Sequence, residues 1–165
     1  MIDNDNIEAD DFIPETKEDF EDVDIHELLF TELTGIISSG QNDNPLTEWM
    51  VGERLRKTLA VISDSEKAKK AFNELQKTIA DKFGGEYTVD KLYECLKLAD
   101  EFPDVAHFSE ICEELSLQHL QIIIEIESDM ERIFYCEMAR QEKWSVDQLK
   151  QKISEKAFEK EFGQN

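Results

Sequence analysis

Several things are scarce in this sequence, and each scarcity removes a class of function. Of 165 residues only six are glycine and three proline, so the composition is neither collagen-like nor that of a low-complexity linker. The three cysteines, Cys95, Cys112 and Cys136, are odd in number, widely spaced and without a CxxC pair. That pattern argues against a disulfide framework and against zinc, and reads as reduced thiols among apolar helix residues. The histidines His26, His107 and His119 have neither i, i+4 spacing nor an HExxH context, so no metal centre is expected. There is no GxSxG, no nucleophilic-cysteine signature and no glycine-rich phosphate loop, so no catalytic residue and no cofactor is expected either. The longest apolar run, Ile122, Ile123 and Ile124 with Ile126, is far too short to span a bilayer. The start carries no basic segment followed by an apolar one, as a secretory signal would. The expectation is a soluble, cytoplasmic chain without membrane contact.

Bases are also short: 18 against 39 acids, for a formal charge of −21. The imbalance is uneven. Between Met1 and Glu27 stand twelve acids and one base, Lys17, so this leader carries −11 and the remainder −10. Residues 1–22 lack periodicity and enough apolar content to offset the entropy of ordering, and read as a disordered acidic leader. Residues 23–162 read as one helical domain, long enough to bury a core.

What the sequence has is helix punctuation. Trp144-Ser145-Val146-Asp147-Gln148-Leu149 places an apolar residue, a hydroxyl cap and a leucine five positions after the opening residue. The pattern occurs twice more, in Tyr87-Thr88 with Leu92 and in Leu115-Ser116 with Leu120. In each the hydroxyl can accept from an amide of the first turn, while the apolar pair staples the entry of the chain. Gln148 can answer Ser145 as a capping box. Other helices are expected over 24–38, over 45–62 with Pro45 in its first turn, and from Ser63 (with Glu66) to Phe83, where Gly84-Gly85 stops it. Further ones run from Thr88 to about Glu101, from Asp104 to Glu114, from Ser116 to about Glu127 and from Ser128, with Ile133, Phe134, Met138 and Ala139 on its stripe. The last runs from Ser145 to near Gly163. β-branched residues never alternate with polar ones over a strand's length, so the fold class is all-α, a compact multi-helix domain.

Two features bear on nucleic acid. From Arg54 to Lys82 the bases Arg54, Arg56, Lys57, Lys67, Lys69, Lys70, Lys77 and Lys82 outnumber the acids by four. Such a patch could meet phosphates, because affinity follows local contacts; a solvated helix face is the plainer alternative. Two helix-turn-helix pairs also fit. In the first, the helix from Thr88 would present Asp90, Lys91, Glu94, Lys97, Asp100 and Glu101, a net −2 that repels phosphate. In the second, the helix after Ser116 offers Gln118 and Gln121, side chains able to pair with adenine edges, amid several glutamates. An ExK triplet at Glu15-Thr16-Lys17 lies in the leader, where no strand can present it.

The order of several motifs resembles the YhcG-type family, in which a helical amino-terminal domain precedes a PD-(D/E)xK nuclease domain. Trp49-Met50-Val51-Gly52-Glu53-Arg54-Leu55 is similar to its W-x-I-G-x-x-I. Phe83-Gly84-Gly85-Glu86-Tyr87-Thr88 is similar to its F-G-x-G-[FY]-[ST], and Leu115-Ser116 with His119 to its L-S-x-S-H. Glu131-Arg132 with Phe134-Tyr135, then Trp144 to Leu149, resemble its R-x-F-Y and W-S-V-R-x-L. The likeness spans 45–154. It implies a helix-turn-helix-like domain of DNA-processing or mobile-element systems, with the nuclease domain and its catalytic residues having no counterpart here. Asp90-Lys91 and Asp147 stand where the family carries basic residues. The expected function is therefore a non-catalytic module binding DNA, or a nuclease or restriction-type protein, through Arg54, Arg56, Lys57, Lys67, Lys69, Lys70, Gln118 and Gln121. The alternative is an acidic interaction module or inhibitor that occupies a basic partner without binding DNA.

Overall fold

A computed structural model of the chain describes residues 24–40, 44–61 and 65–163. The leader 1–22 and the cap expected at Ser63 lie outside the described residues. Those described form helices only: α1 (Ile25–Ser39), α2 (Pro45–Val61), α3 (Ser65–Phe83), α4 (Val89–Glu101), α5 (Val105–Glu114), α6 (Leu117–Ile123), α7 (Asp129–Gln141), α8 (Val146–Ser154) and α9 (Ala157–Phe162), with a 3₁₀ turn at Gly84–Glu86. The all-α reading is correct.

The caps act as the sequence dictates. Thr88 Oγ1 accepts from Lys91 N–H at 3.2 Å, and Asp104 Oδ1 from the amides of Ala106 and His107. Ser145 and Gln148 form the full reciprocal box, with Gln148 N–H donating to Ser145 Oγ at 3.2 Å and Ser145 N–H to Gln148 Oε1 at 2.8 Å. Each of these satisfies an amide that the first turn leaves unpaired. Of the staple residues, Tyr87, Leu92, Leu115, Leu120 and Leu149 are buried, whereas Trp144 is only half-buried.

Apolar residues gather in two clusters. One joins Leu29 and Leu33 of α1, Val51 and Leu55 of α2, Phe72, Leu75 and Ile79 of α3, and Leu92 and Cys95 of α4. The other joins Trp49, Leu98, Ala99 and Phe102 to Phe108, Ile111, Leu120, Ile123, Cys136, Ala139 and Leu149. Helices α2 and α4 therefore serve both clusters, each with one end. They cross closely: a Cβ on Gly52 would lie 1.8 Å from the Cys95 carbonyl oxygen. Nearby, Trp49 Nε1–H donates to the Phe102 carbonyl at 2.7 Å, satisfying an acceptor at the C-terminal end of α4.

Four details depart from the periodicity. The last helix divides: Lys156 adopts a left-handed backbone (φ 55°), turning α9 back so that Phe158 and Phe162 reach Phe134 at centroid distances of 5.5 and 5.7 Å. Helix α6 ends at Ile123, not near Glu127, and Arg132 bonds the Ile126 carbonyl in the turn that follows. Ile133, expected inward, is 61% exposed, because it lies at the edge of the buried Cys136–Ala139 stripe, on the side of α7 that carries exposed Met130. Lys91, counted as outward, turns inward to an ion pair with Glu48.

Candidate functional site

Five bases of the basic stretch, Arg54, Arg56, Lys57, Lys69 and Lys70, are paired with carboxylates. Arg54 grips the Glu32 carboxylate of α1 through Nε and Nη2, in a half-buried bidentate pair. Arg56 and Lys57 share Glu53, at 2.6 and 3.2 Å, and Arg56 also lies 4.0 Å from Asp100. On α3, Lys69 pairs with Glu66 at 3.2 Å and Lys70 with Glu74 at 3.9 Å, while Lys67 is exposed. The acids that neutralise Arg54, Arg56 and Lys57 precede them or lie on another helix. The α1–α2 packing supplies Glu32, which a local charge count over 54–82 omits.

The glutamine pair is divided in the same way. Gln118 is exposed on α6, but Gln121 Nε2 donates to Glu94 of α4 at 3.1 Å. Lys97 of α4 also reaches Glu125 at 2.9 Å. The outward side of α4 is thus tied to α6 and its following turn by polar contacts, and both partners are acidic or amide.

The motif residues prove to be architectural. Trp49 and Gly52 form the α2–α4 crossing. His119 Nδ1 accepts from Ser116 N–H at 3.2 Å, and its Nε2 donates to the Trp144 carbonyl at 2.9 Å. One ring therefore caps α6 and fastens the entry of α8. Arg132 donates to the Ile126 carbonyl, to Asp129 and to Glu101, so each of its three guanidinium nitrogens is engaged. Tyr135 Oη accepts from Phe158 N–H at 3.3 Å, anchoring α9.

Sequence reasoning missed a buried polar cluster on the α2–α4 seam. Glu48, only 4% exposed, accepts from Lys91 Nζ at 2.9 Å and from Cys95 Sγ–H at 3.0 Å. Burial, then the charge and hydrogen bond of Glu48, hold the Cys95 thiol well above its usual range, with Lys91 offsetting part of this. Burial disfavours the Lys91 ammonium, but its hydrogen bond to Glu48 and that carboxylate's charge outweigh burial and raise its pKa. Such a thiol is protonated and inert near neutral pH. No signal in the sequence could have joined residues more than forty positions apart.

The histidines also serve separate places. His26 Nε2 meets Thr78 Oγ1 at 2.9 Å, His119 is engaged as above, and His107 is exposed. Among the described residues no group of three or more His, Cys, Asp or Glu could hold a metal ion, and no helix is long and apolar enough to cross a membrane.

A groove of about 530 Å³ opens between the α4–α5 turn and α7. Phe102, Pro103, Ile133 and Cys136 supply apolar walls, and Asp100, Asp104, Asp129 and Glu137 supply carboxylates. A second, of about 430 Å³, lies where Leu59, Phe72, Tyr93 and Leu96 meet beside Lys69.

No curated protein and no solved structure matches the chain. A family model described as the DUF1016 N-terminal domain matches residues 32–160, from the middle of α1 to α9. Its span takes in the Gly52 crossing, the His119 bridge, the Arg132 hub and the Tyr135 anchor. The chain belongs to that family, the helical amino-terminal domain of the YhcG-type proteins.

Proposed function

We propose that this domain is a non-catalytic binding module of a DNA-processing system, and that it works by engaging a protein partner, of nuclease or restriction type, through an acidic surface. The observation that carries this reading is the fate of the bases. Arg54, Arg56 and Lys57 are held by Glu32 and Glu53, so the α2 part of the positive stretch has less charge left to release counterions from a duplex. The motif residues support it too, since Trp49, Gly52, His119, Arg132 and Tyr135 are spent on packing and leave no assembled reactive group. An acidic surface suits a basic partner, whose encounter it would accelerate at low salt.

The test has two arms. The purified protein is titrated against duplex DNA in an electrophoretic shift assay at low salt, and immobilised protein is used to capture partners from cells of the source organism. The expected result is no shift and recovery of a basic DNA-processing protein, released by raised salt. A shift that weakens steeply with salt, with no such protein recovered, would overturn the reading.

One observation favours a second reading, direct DNA contact. Lys69 and Lys70 sit in highly exposed pairs, and pairs of that kind contribute only about 0–1 kcal/mol, so a phosphate could displace their glutamates. On that reading, reversing Lys67, Lys69 and Lys70 to glutamate abolishes a DNA shift.

A further inference from the structure

We infer that the groove between the α4–α5 turn and α7 is a docking site for a basic amphipathic helix of a partner protein. The inference rests on the partner-binding reading above and assigns that partner's contact. Three observations carry it.

The first is an apolar pair without cover. Ile133 is 61% exposed and Met130, one turn earlier on the same face of α7, is 67% exposed. Ile133 lines the groove beside Phe102 and Pro103. An apolar surface rimmed by polar groups is the form protein-binding sites take.

The second is the sign of the rim. Asp100, Asp104, Asp129 and Glu137 ring the apolar floor. Asp100 lies 4.0 Å from Arg56, Asp129 3.1 Å from Arg132 and Glu137 3.0 Å from Arg140. The Asp100 and Asp129 side chains nevertheless stay 62% and 85% exposed, and pairs that exposed are weak enough for an incoming cation to compete. His107 also lines the groove and is exposed, whereas the guanidinium there, that of Arg132, is 12% exposed with each of its three nitrogens engaged by the Ile126 carbonyl, Glu101 or Asp129. It cannot turn to an incoming anion. The groove therefore selects a cationic occupant and disfavours both nucleic acid and a second copy of this acidic chain.

The third concerns the shape of the occupant. The described residues form helices and the turns between them, with no strand edge to which an extended peptide could add. The mode that suits an apolar trough with an acidic rim is a helix laid in the groove, its apolar side chains entering between Phe102 and Ile133 and its lysines or arginines meeting the carboxylates.

The test uses a fluorescein-labelled helical peptide of leucine and lysine, with the leucines on one face, followed by fluorescence anisotropy. A scrambled peptide of the same composition and an unrelated DNA duplex serve as comparison probes. The amphipathic peptide is expected to bind more tightly than the scrambled one. Ile133→Glu should weaken it by about tenfold or more even though it adds negative charge, and Asp129→Lys should weaken it comparably. Glu66→Lys, a reversal on exposed α3, should leave binding within about twofold. Circular dichroism and melting curves check that each variant is folded; since Ile133 and Asp129 are exposed, all should be.

The proposal is overturned if Ile133→Glu binds as tightly as the parent, if Glu66→Lys matters as much as Asp129→Lys, or if the duplex competes for the groove. It also falls if the protein forms a dimer that Ile133→Glu dissolves. These failures are separable from failure of the binding-module reading. A basic partner captured equally by the parent and by Ile133→Glu removes the groove and keeps the module, whereas a DNA shift without a captured partner removes both.

Discussion

Gly52 of α2 faces the Cys95 carbonyl of α4 so closely that a methyl group at its Cα would fall 1.8 Å from that oxygen. The contact is backbone to backbone, so no flexible side chain can move aside. Gly52→Ala should force α2 and α4 apart along a seam shared by both apolar clusters. A loss above the about 1–3 kcal/mol typical of overpacking is expected, read as a large drop in the denaturation midpoint, and a parent-like midpoint would contradict this seam.

Glu48 and Lys91 hold each other inside the same seam. Replacing Glu48 by glutamine leaves a nearly buried ammonium without its counterion and costs about 2–4 kcal/mol, somewhat below the full penalty because the lysine keeps partial access to water. Pairing Glu48→Gln with Lys91→Met should recover much of that loss. A double variant no better than the single one would mean that the pair contributes little.

The three thiols make alkaline pH a sensitive axis. Burial raises Cys112 to about 11, and burial with the Glu137 charge raises Cys136 to about 11, against an ordinary 9.0. The folded state thus favours the protonated thiol. Its stabilising contribution is complete below pH 9.0 and is lost as pH rises through about 11. Lys91, also raised, adds to the loss in the same direction. Melting temperature should fall across that window, and a Cys112→Ala, Cys136→Ala variant should show a shallower fall. At pH 7 all three thiols should react slowly with a thiol reagent until denaturant is added, since Cys95, Cys112 and Cys136 are free but protonated.

His119 joins two helix starts through one ring. His119→Ala removes the acceptor for Ser116 N–H and the donor to the Trp144 carbonyl, and should cost about 1–3 kcal/mol. Asparagine at this position caps through its amide oxygen but is too short to bridge, and should restore only part. Amide exchange would locate the damage: loss of protection at both Ser116 and the start of α8 is expected, and loss confined to α6 would refute the bridge.

The sequence by itself determined where most of the helices begin, α9 excepted. Thr88, Asp104, Ser116, Ser128 and Ser145 were legible because a cap and its staple are local, acting within four or five residues along the chain. It also determined the all-α class, since spacing of three and four needs no knowledge of the partner helix. Only the tertiary structure decided what the charges and motifs are for. Arg54 looks like a phosphate contact until Glu32, twenty-two residues earlier, is brought against it, and Trp49 and His119 look like signature residues until their acceptors at Phe102 and Trp144 come into reach. Exposure of Ile133 was equally illegible, because a one-residue rotation about the axis of α7 separates a buried position from an open one, and that rotation is set by Cys136 and Ala139 packing into a core assembled from distant segments. Capping energies are fixed by near neighbours, whereas electrostatic sign and accessible apolar area depend on which surfaces packing leaves uncovered.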